Sequence, residues 1–224
     1  TGSVVIDGDV TYATTVNVSL GLQAMDTGTG VDTMMVANTN DFDGVDWVTY
    51  TTGMAWVLTS GDGAKTVYAK FRDRAANISL VYSDDIILDT IPPQGSIIIN
   101  GGAIYADSTI VTLTLAANDT TSGVSQMQFS SDGQTWSSAE PFTTSKTWTL
   151  TTGDGIRTVY VRYRDNAGNV AVYNDTITLD TTPPSSAIST LPSYYNAITF
   201  TVSWAGSDVG SGLANYDIQF KDNS

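Results

Sequence analysis

The sequence predicts an all-β protein: a tandem of seven-stranded antiparallel β-sandwiches followed by an incomplete third module. Three observations predict it. Short runs with strand-period alternation are separated by turns rich in Gly, Asp, Asn, Ser and Thr. No run carries a helical period, and Glu140 is the only glutamate among 23 acidic residues, an imbalance that favours turns and caps over helices. The same text also returns after 91–93 residues, the mark of a duplication.

Residues 1–93 form the first repeat. Val4-Val5-Ile6 is a short strand closed by Asp7-Gly8-Asp9. In residues 15–22, Val16, Val18, Leu20 and Leu22 alternate with Thr15, Asn17, Ser19 and Gly21, so one face is buried and the other wet. A loop at 25–30 precedes a third strand at 32–38, and residues 47–50 and 55–58 are two more. After Gly61-Asp62-Gly63, Val67, Ala69 and Phe71 face one way and Tyr68, Lys70 and Arg72 the other. The last strand spans 80–88, which makes seven strands in about 90 residues, the spacing of an antiparallel sandwich.

Residues 94–184 repeat the plan. Asp26 recurs as Asp119, Trp56 as Trp148, Asp73 as Asp165 and Asp89 as Asp180. Ser131-Asp132-Gly133-Gln134 marks a hairpin. Residues 185–224 begin a third module: 199–204 alternate like an earlier second strand, the loop Ser207-Asp208-Val209-Gly210-Ser211-Gly212 matches the Asp119 loop, and 216–220 match a third strand. Three strands do not close a sandwich, so further chain or a partner chain is expected to complete it. The pairs Pro92-Pro93 and Pro183-Pro184 end strands and stiffen the linkers.

Composition removes several functional classes. The chain has no Cys and no His, so thiolate sites, disulfides and the usual general base are absent. Its net charge of −14 opposes nucleic acid and anionic membrane surfaces and suits hard cations. No run approaches the length of a membrane span. Catalysis is not expected, because only a two-carboxylate glycosidase scheme remains and the aspartates recur at loop positions of each repeat.

The clearest signature runs Gly153-Asp154-Gly155, then Val159-Tyr160-Val161-Arg162-Tyr163-Arg164-Asp165-Asn166-Ala167-Gly168-Asn169, then Leu179-Asp180-Thr181-Thr182-Pro183-Pro184. It resembles the immunoglobulin-like repeats of bacterial and archaeal surface proteins, among them adhesins, S-layer-type proteins and the stalks of secreted enzymes. The stretch Phe200-Thr201-Val202-Ser203-Trp204, with Ser207-Asp208 and Gly210-Ser211-Gly212, resembles fibronectin type III-like modules. The resemblance covers essentially the whole chain and implies an immunoglobulin-like sandwich in an extracellular or cell-surface setting. It further implies a role as rod, spacer or adhesive arm, with calcium at some joints between modules. The first repeat departs from the pattern at Arg74-Ala75-Ala76-Asn77, where Asn-Ala-Gly-Asn is usual; the missing Gly weighs against a tight metal-binding turn there.

In a sandwich of this topology the incoming linker lies at the same end as the second-to-third and sixth-to-seventh strand loops. For the second repeat this gathers Asp89, Asp119, Asp165 and Asn169, with Asp62 offered by the first repeat. The second joint offers Asp180, Asp208 and Asp154. Carboxylate-rich oxygen sets are what Ca²⁺ takes, and the cation would offset their mutual repulsion. The alternative is that each aspartate caps its own turn.

Asn17, Asn77, Asn118 and Asn174 stand in glycosylation sequons, which also arise by chance in a chain rich in Thr and Asn. Tyr68, Tyr160, Tyr194 and Tyr195 are candidate sugar platforms or ordinary cross-strand partners, whereas Trp56, Trp148 and Trp204 suit sandwich cores.

The expected function is structural or adhesive: a rod, stalk or filament segment of a cell-surface protein. Its expected partners are neighbouring repeats or copies of the same protein, joined by strand addition, or glycans and surface receptors. The alternative is a set of accessory binding or spacer modules in a secreted carbohydrate-active enzyme or protease.

Overall fold

The computed structural model describes residues 1–191 and 198–219. Tyr194 and Tyr195, singled out in the sequence, and the last residue of the expected strand at 216–220 lie outside them.

The first repeat contains β1 (Gly2–Ile6), β2 (Tyr12–Ala13), β3 (Asn17–Ala24), β4 (Val31–Ala37), β5 (Val48–Thr49), β6 (Gly53–Val57), β7 (Gly63–Asp73) and β8 (Tyr82–Leu88). The second repeats the series as β9 (Gln94–Ile99), β10 (Tyr105–Ala106), β11 (Ile110–Asn118), β12 (Val124–Ser130), β13 (Glu140–Pro141), β14 (Ser145–Thr149), β15 (Gly155–Asp165) and β16 (Val170–Leu179). Each has a three-stranded sheet, β1-β3-β6 or β9-β11-β14. Each also has a five-stranded one, β2-β8-β7-β4-β5 or β10-β16-β15-β12-β13. Both copies shift register at the start of β4 and β12, between Val31 and Thr33 and between Val124 and Gln126.

The sequence misses one piece per repeat. The first strand changes sheets: β1 pairs antiparallel with β3, while β2 pairs parallel with β8. Two residues are too few to show alternation. A carboxylate from the opposite sheet serves the strand where it crosses over: Asp84 accepts the Ile6 N–H at 2.7 Å and Asp175 that of Ile99 at 2.8 Å.

Alternation produces the two cores. Val18, Leu20 and Leu22 of β3 pack on Val67, Ala69 and Phe71 of β7 in one; Val111, Leu113 and Leu115 face Val159, Val161 and Tyr163 in the other. Burying each large aliphatic side chain contributes about 1.5–3 kcal/mol. Trp56 and Trp148 pack at the margins of these cores.

In the third module, β17 (Ser185–Ile188) pairs with β18 (Trp204–Ser207). The expected strand at 199–204 thus begins where it was expected to end, and no strand forms at 214–219. With only these two strands paired, an alternating apolar face has no opposing sheet to bury against. Trp204 is correspondingly 47% exposed rather than in a core.

Candidate functional site

The site lies where the first sandwich hands the chain to the second. Asp89 immediately follows β8, and its main chain serves both sandwiches. Its N–H donates to Ala13 O of the first at 2.9 Å, and its carbonyl accepts Asn169 Nδ2 of the second, also at 2.9 Å. Four residues on from Asn169, Tyr173 donates its hydroxyl to Pro93 O at 3.0 Å. The linker is therefore clasped before β9 begins.

Two loops of the second repeat complete the arrangement, because the sandwich returns its β11–β12 and β15–β16 connections to the end where the linker arrives. In the first loop, Asp119 Oδ1 accepts the N–H groups of Thr121, Ser122 and Gly123 at 3.1, 2.8 and 2.8 Å. In the second, Asp165 Oδ1 accepts those of Gly168 and Asn169 at 2.6 and 2.8 Å, while Oδ2 accepts Asn169 Nδ2 at 2.9 Å. These are cap geometries of the kind short Asp side chains favour.

Capping accounts for Asp119 and Asp165 but not for Asp89. One carboxylate oxygen from each of the three aspartates lies within 4.8 Å of the others. Asp89 is 0% exposed and Asp165 2%. Asp89 Oδ1 accepts a long bond from the Ile91 N–H at 3.3 Å, and Oδ2 is buried without a donor. Among the described residues the one ion pair, Lys146 with Glu140, is elsewhere. Two like charges at such a separation repel by about 3 kcal/mol at an effective dielectric of about 20, and a buried carboxylate oxygen without a partner costs more. The donor set is made of hard oxygens, two of the carboxylates are fixed by their own turns, and the third has a vacant oxygen. These residues fit a divalent oxygen-seeking cation such as Ca²⁺.

The other sequence candidates take other roles. Asn169 reaches the site with its amide nitrogen and braces Asp89 and Asp165 as a donor. Asp62 touches the linker through Thr90 Oγ1 at 2.9 Å, and its Oδ2 is buried without a partner. The matching position in the second repeat explains that orphan. Asp154 accepts Thr181 Oγ1 at 2.8 Å and Thr182 Oγ1 at 2.5 Å, but Ile91 stands where Thr182 does and has no hydroxyl to give.

At the second joint, Ser211 N–H donates to Asp180 Oδ2 at 2.5 Å and Gly212 N–H to Asp208 Oδ1 at 2.7 Å. Hydrogen bonds, first of all from Ser211 for Asp180 and from Thr182 for Asp154, hold both carboxyls below the ordinary range. Asp180, Asp208 and Asp154 form no second group of three among the described residues.

The four sequon asparagines are exposed, and Asn77 spends its Nδ2 on Asp73 Oδ2 at 2.8 Å. Tyr68 and Tyr160 are half-buried.

Sequence reasoning missed two features. Tyr173 shows no outward sign of binding the linker, since a Tyr on a strand reads as a packing residue. The turn after Asp73 forms without the usual Gly: Ala76 adopts φ 68° where Gly168 has 107°, and Asp73 Oδ1 accepts the Ala75 and Asn77 N–H groups, each at 2.8 Å. The departure at Arg74-Ala75-Ala76-Asn77 therefore leaves the turn intact.

The fold and site define a tandem of β-sandwiches joined through an acidic clasp. No family model and no curated protein matches the sequence. The chain is similar to solved structures of fibronectin(III)-like modules of CbhA from Clostridium thermocellum, at 14% identity over 79% of this chain and 92% of that one, with a TM-score of 0.47. It is also similar to a 1.5-MDa bacterial ice-binding adhesin, at 14% identity over 86% and 69%, TM-score 0.49. A third is a Ca²⁺-stabilised adhesin with which an Antarctic bacterium binds ice, at 18% identity over 86% and 52%, TM-score 0.46. No helix among the described residues is long and apolar enough to cross a membrane.

Proposed function

We propose that the chain is a structural or adhesive repeat segment of an extracellular or cell-surface protein, serving as a rod, stalk or filament building block, and that it is not an enzyme. The units are residues 1–93, 94–184 and the start of a third at 185. Two separate cores and two copies of the same pair of sheets support that division. A sequence without His or Cys supports the non-catalytic reading.

The observation that carries the proposal is the clasp at Asp89. A joint whose first linker residue is bonded to the sandwich on either side, and whose last is held by Tyr173, has little hinge freedom. A Ca²⁺ ion held by Asp89, Asp119 and Asp165 would lock it further by tying the linker to both loops. The partners that suit such a segment are further repeats in line with it, with adhesive contacts supplied by its faces.

Small-angle scattering of the full chain, in EDTA and in millimolar Ca²⁺, tests this reading. An elongated profile whose flexibility falls on adding Ca²⁺ is expected. A compact profile for the two complete sandwiches would refute the rod.

A further inference from the structure

The receiving half of the Asp89 joint is present a second time, at the end of the first sandwich where Thr1 lies. Asp73 and Asn77 reproduce both bonds that join Asn169 to the Asp165 side chain: the Asn77 N–H donates to Asp73 Oδ1 and Asn77 Nδ2 to Asp73 Oδ2, each at 2.8 Å, as the Asn169 N–H and Nδ2 do to Asp165 Oδ1 and Oδ2 at 2.8 and 2.9 Å. Asp26 stands for Asp119, its Oδ2 accepting the Gly28 and Gly30 N–H groups at 3.2 and 2.8 Å. Tyr82 stands for Tyr173, each opposite the matching residue of its neighbour, Ala69 or Val161.

Chain entry matches too. Thr1 and Met25 exchange main-chain bonds of 3.0 and 2.8 Å at the place where Gln94 pairs with Asn118. Gly2 lies against Phe71 and Tyr82 as Gly95 lies against Tyr163. A residue placed ahead of Thr1 would therefore leave along the path Pro93 takes ahead of Gln94.

In the second repeat these residues hold peptide: Asn169 binds the Asp89 carbonyl and Tyr173 the Pro93 carbonyl. In the first repeat a cavity of about 160 Å³, lined by Ala24, Asp26, Phe71, Asp73, Asn77 and Ile78 among others, lies at this place. Met25 and Ile78 on its rim are 69% and 58% exposed.

We propose that this end of the first sandwich is a second receiving site, and that its occupant is an extended peptide with the chemistry of residues 88–93. Such a peptide carries an aspartate three residues before a Pro-Pro pair and enters directly ahead of Thr1. Asn77 would take the aspartate carbonyl and Tyr82 the last proline carbonyl. The aspartate side chain would complete a trio with Asp26 and Asp73. The peptide contacts stand on their own, and only the ion in that trio rests on the reading of the Asp89 joint.

The test extends the full chain ahead of Thr1 with Leu-Asp-Thr-Ile-Pro-Pro, and separately with a Gly-Ser hexapeptide of equal length. The linker-like extension is expected to slow amide exchange at residues 26–30 and 73–77 by about tenfold relative to the Gly-Ser one, in EDTA as well as in Ca²⁺. It is also expected to add one Ca²⁺ per chain in calorimetric titration, and Asn77→Ala in that extended chain should undo the slowing. Equal exchange for the two extensions would overturn the proposal. A parent chain that binds no Ca²⁺ would sink the ion at Asp89 and leave the exchange comparison to decide the peptide site.

Discussion

Replacing Asp89 by Asn removes one carboxylate from the trio while leaving the main-chain bonds of residue 89 to Ala13 and Asn169 in place. The effect should have opposite signs with and without cation. Extracellular Ca²⁺ sites commonly bind with Kd of about 10⁻⁴–10⁻³ M, so 10 mM Ca²⁺, at about 10–100 times Kd, stabilises the native chain by about 1.4–2.7 kcal/mol. For a unit of this size that is a rise in Tm of roughly 6–20 °C. In EDTA the ordering reverses. The native chain bears repulsion among three carboxylate oxygens within 4.8 Å, and the Asp89→Asn side chain relieves part of it while offering an amide donor to its neighbours. Calorimetry of both proteins, in EDTA and in 10 mM Ca²⁺, reads all four states. Expected are a large Ca²⁺-dependent rise for the native chain, little or none for Asp89→Asn, and a variant at least as stable as the native chain in EDTA. A native Tm that ignores Ca²⁺, or a variant that keeps the full rise, refutes the reasoning.

Gly95→Ala places a Cβ 2.6 Å from the Ala116 carbonyl oxygen and 2.7 Å from the Tyr163 ring; backbone does not yield readily, so a loss of about 1–3 kcal/mol is expected in urea unfolding of the second repeat, and an unchanged midpoint would show that β9 can shift. Ile91→Thr supplies the hydroxyl that Thr182 gives Asp154 and that Asp62 Oδ2 lacks; a gain of about 1 kcal/mol is expected by thermal melting, and a loss would mean that the Ile91 side chain matters more than the hydrogen bond. The carboxyls of Asp73, Asp154 and Asp180 are held low in the folded chain, first by Asn77, Thr182 and Ser211 respectively. Folding therefore lowers their proton affinity, and their contribution is full above the unfolded value of about 3.9 and is lost as pH falls through the lower folded values. Melting followed in 10 mM Ca²⁺, where a cation would offset the repulsion among Asp89, Asp119 and Asp165, should accordingly be flat from about pH 7 to 5 and decline below about pH 4; a decline on raising the pH from 5 to 7 would contradict this sign.

The parts of the molecule legible in the sequence are those where side-chain chemistry repeats with a period. Val18, Leu20 and Leu22 alternate because one face of β3 is buried, so the strand announces itself. The gathering of Asp89, Asp119 and Asp165 was legible from topology, since a linker and two loops share one end of a sandwich. Features set by a single atom were not legible. Asn169 reaches the site as a donor through its nitrogen, and its place among oxygen-rich neighbours does not reveal which end of the amide faces inward. Ala76 takes a backbone conformation associated with Gly because the bonds to Asp73 hold the turn closed. Asp62 matches Asp154 in the text, yet one Thr-to-Ile difference two residues into the linker leaves it half-satisfied. In the third module the alternating pattern placed a strand several residues early, because alternation reports a face that can be buried, and there it meets no opposing sheet.

The divided main chain of Asp89 has a geometric consequence. Its N–H belongs to one sandwich and its carbonyl to the next, so the two torsions on either side of a single α-carbon set the turn from one body to the other. A row of sandwiches coupled in this way would rotate by the same increment at every step and trace a superhelix with a defined pitch. A one-residue insertion at this point would change the increment at that step alone, leaving both bodies folded while the axis of everything beyond it swings to a new heading.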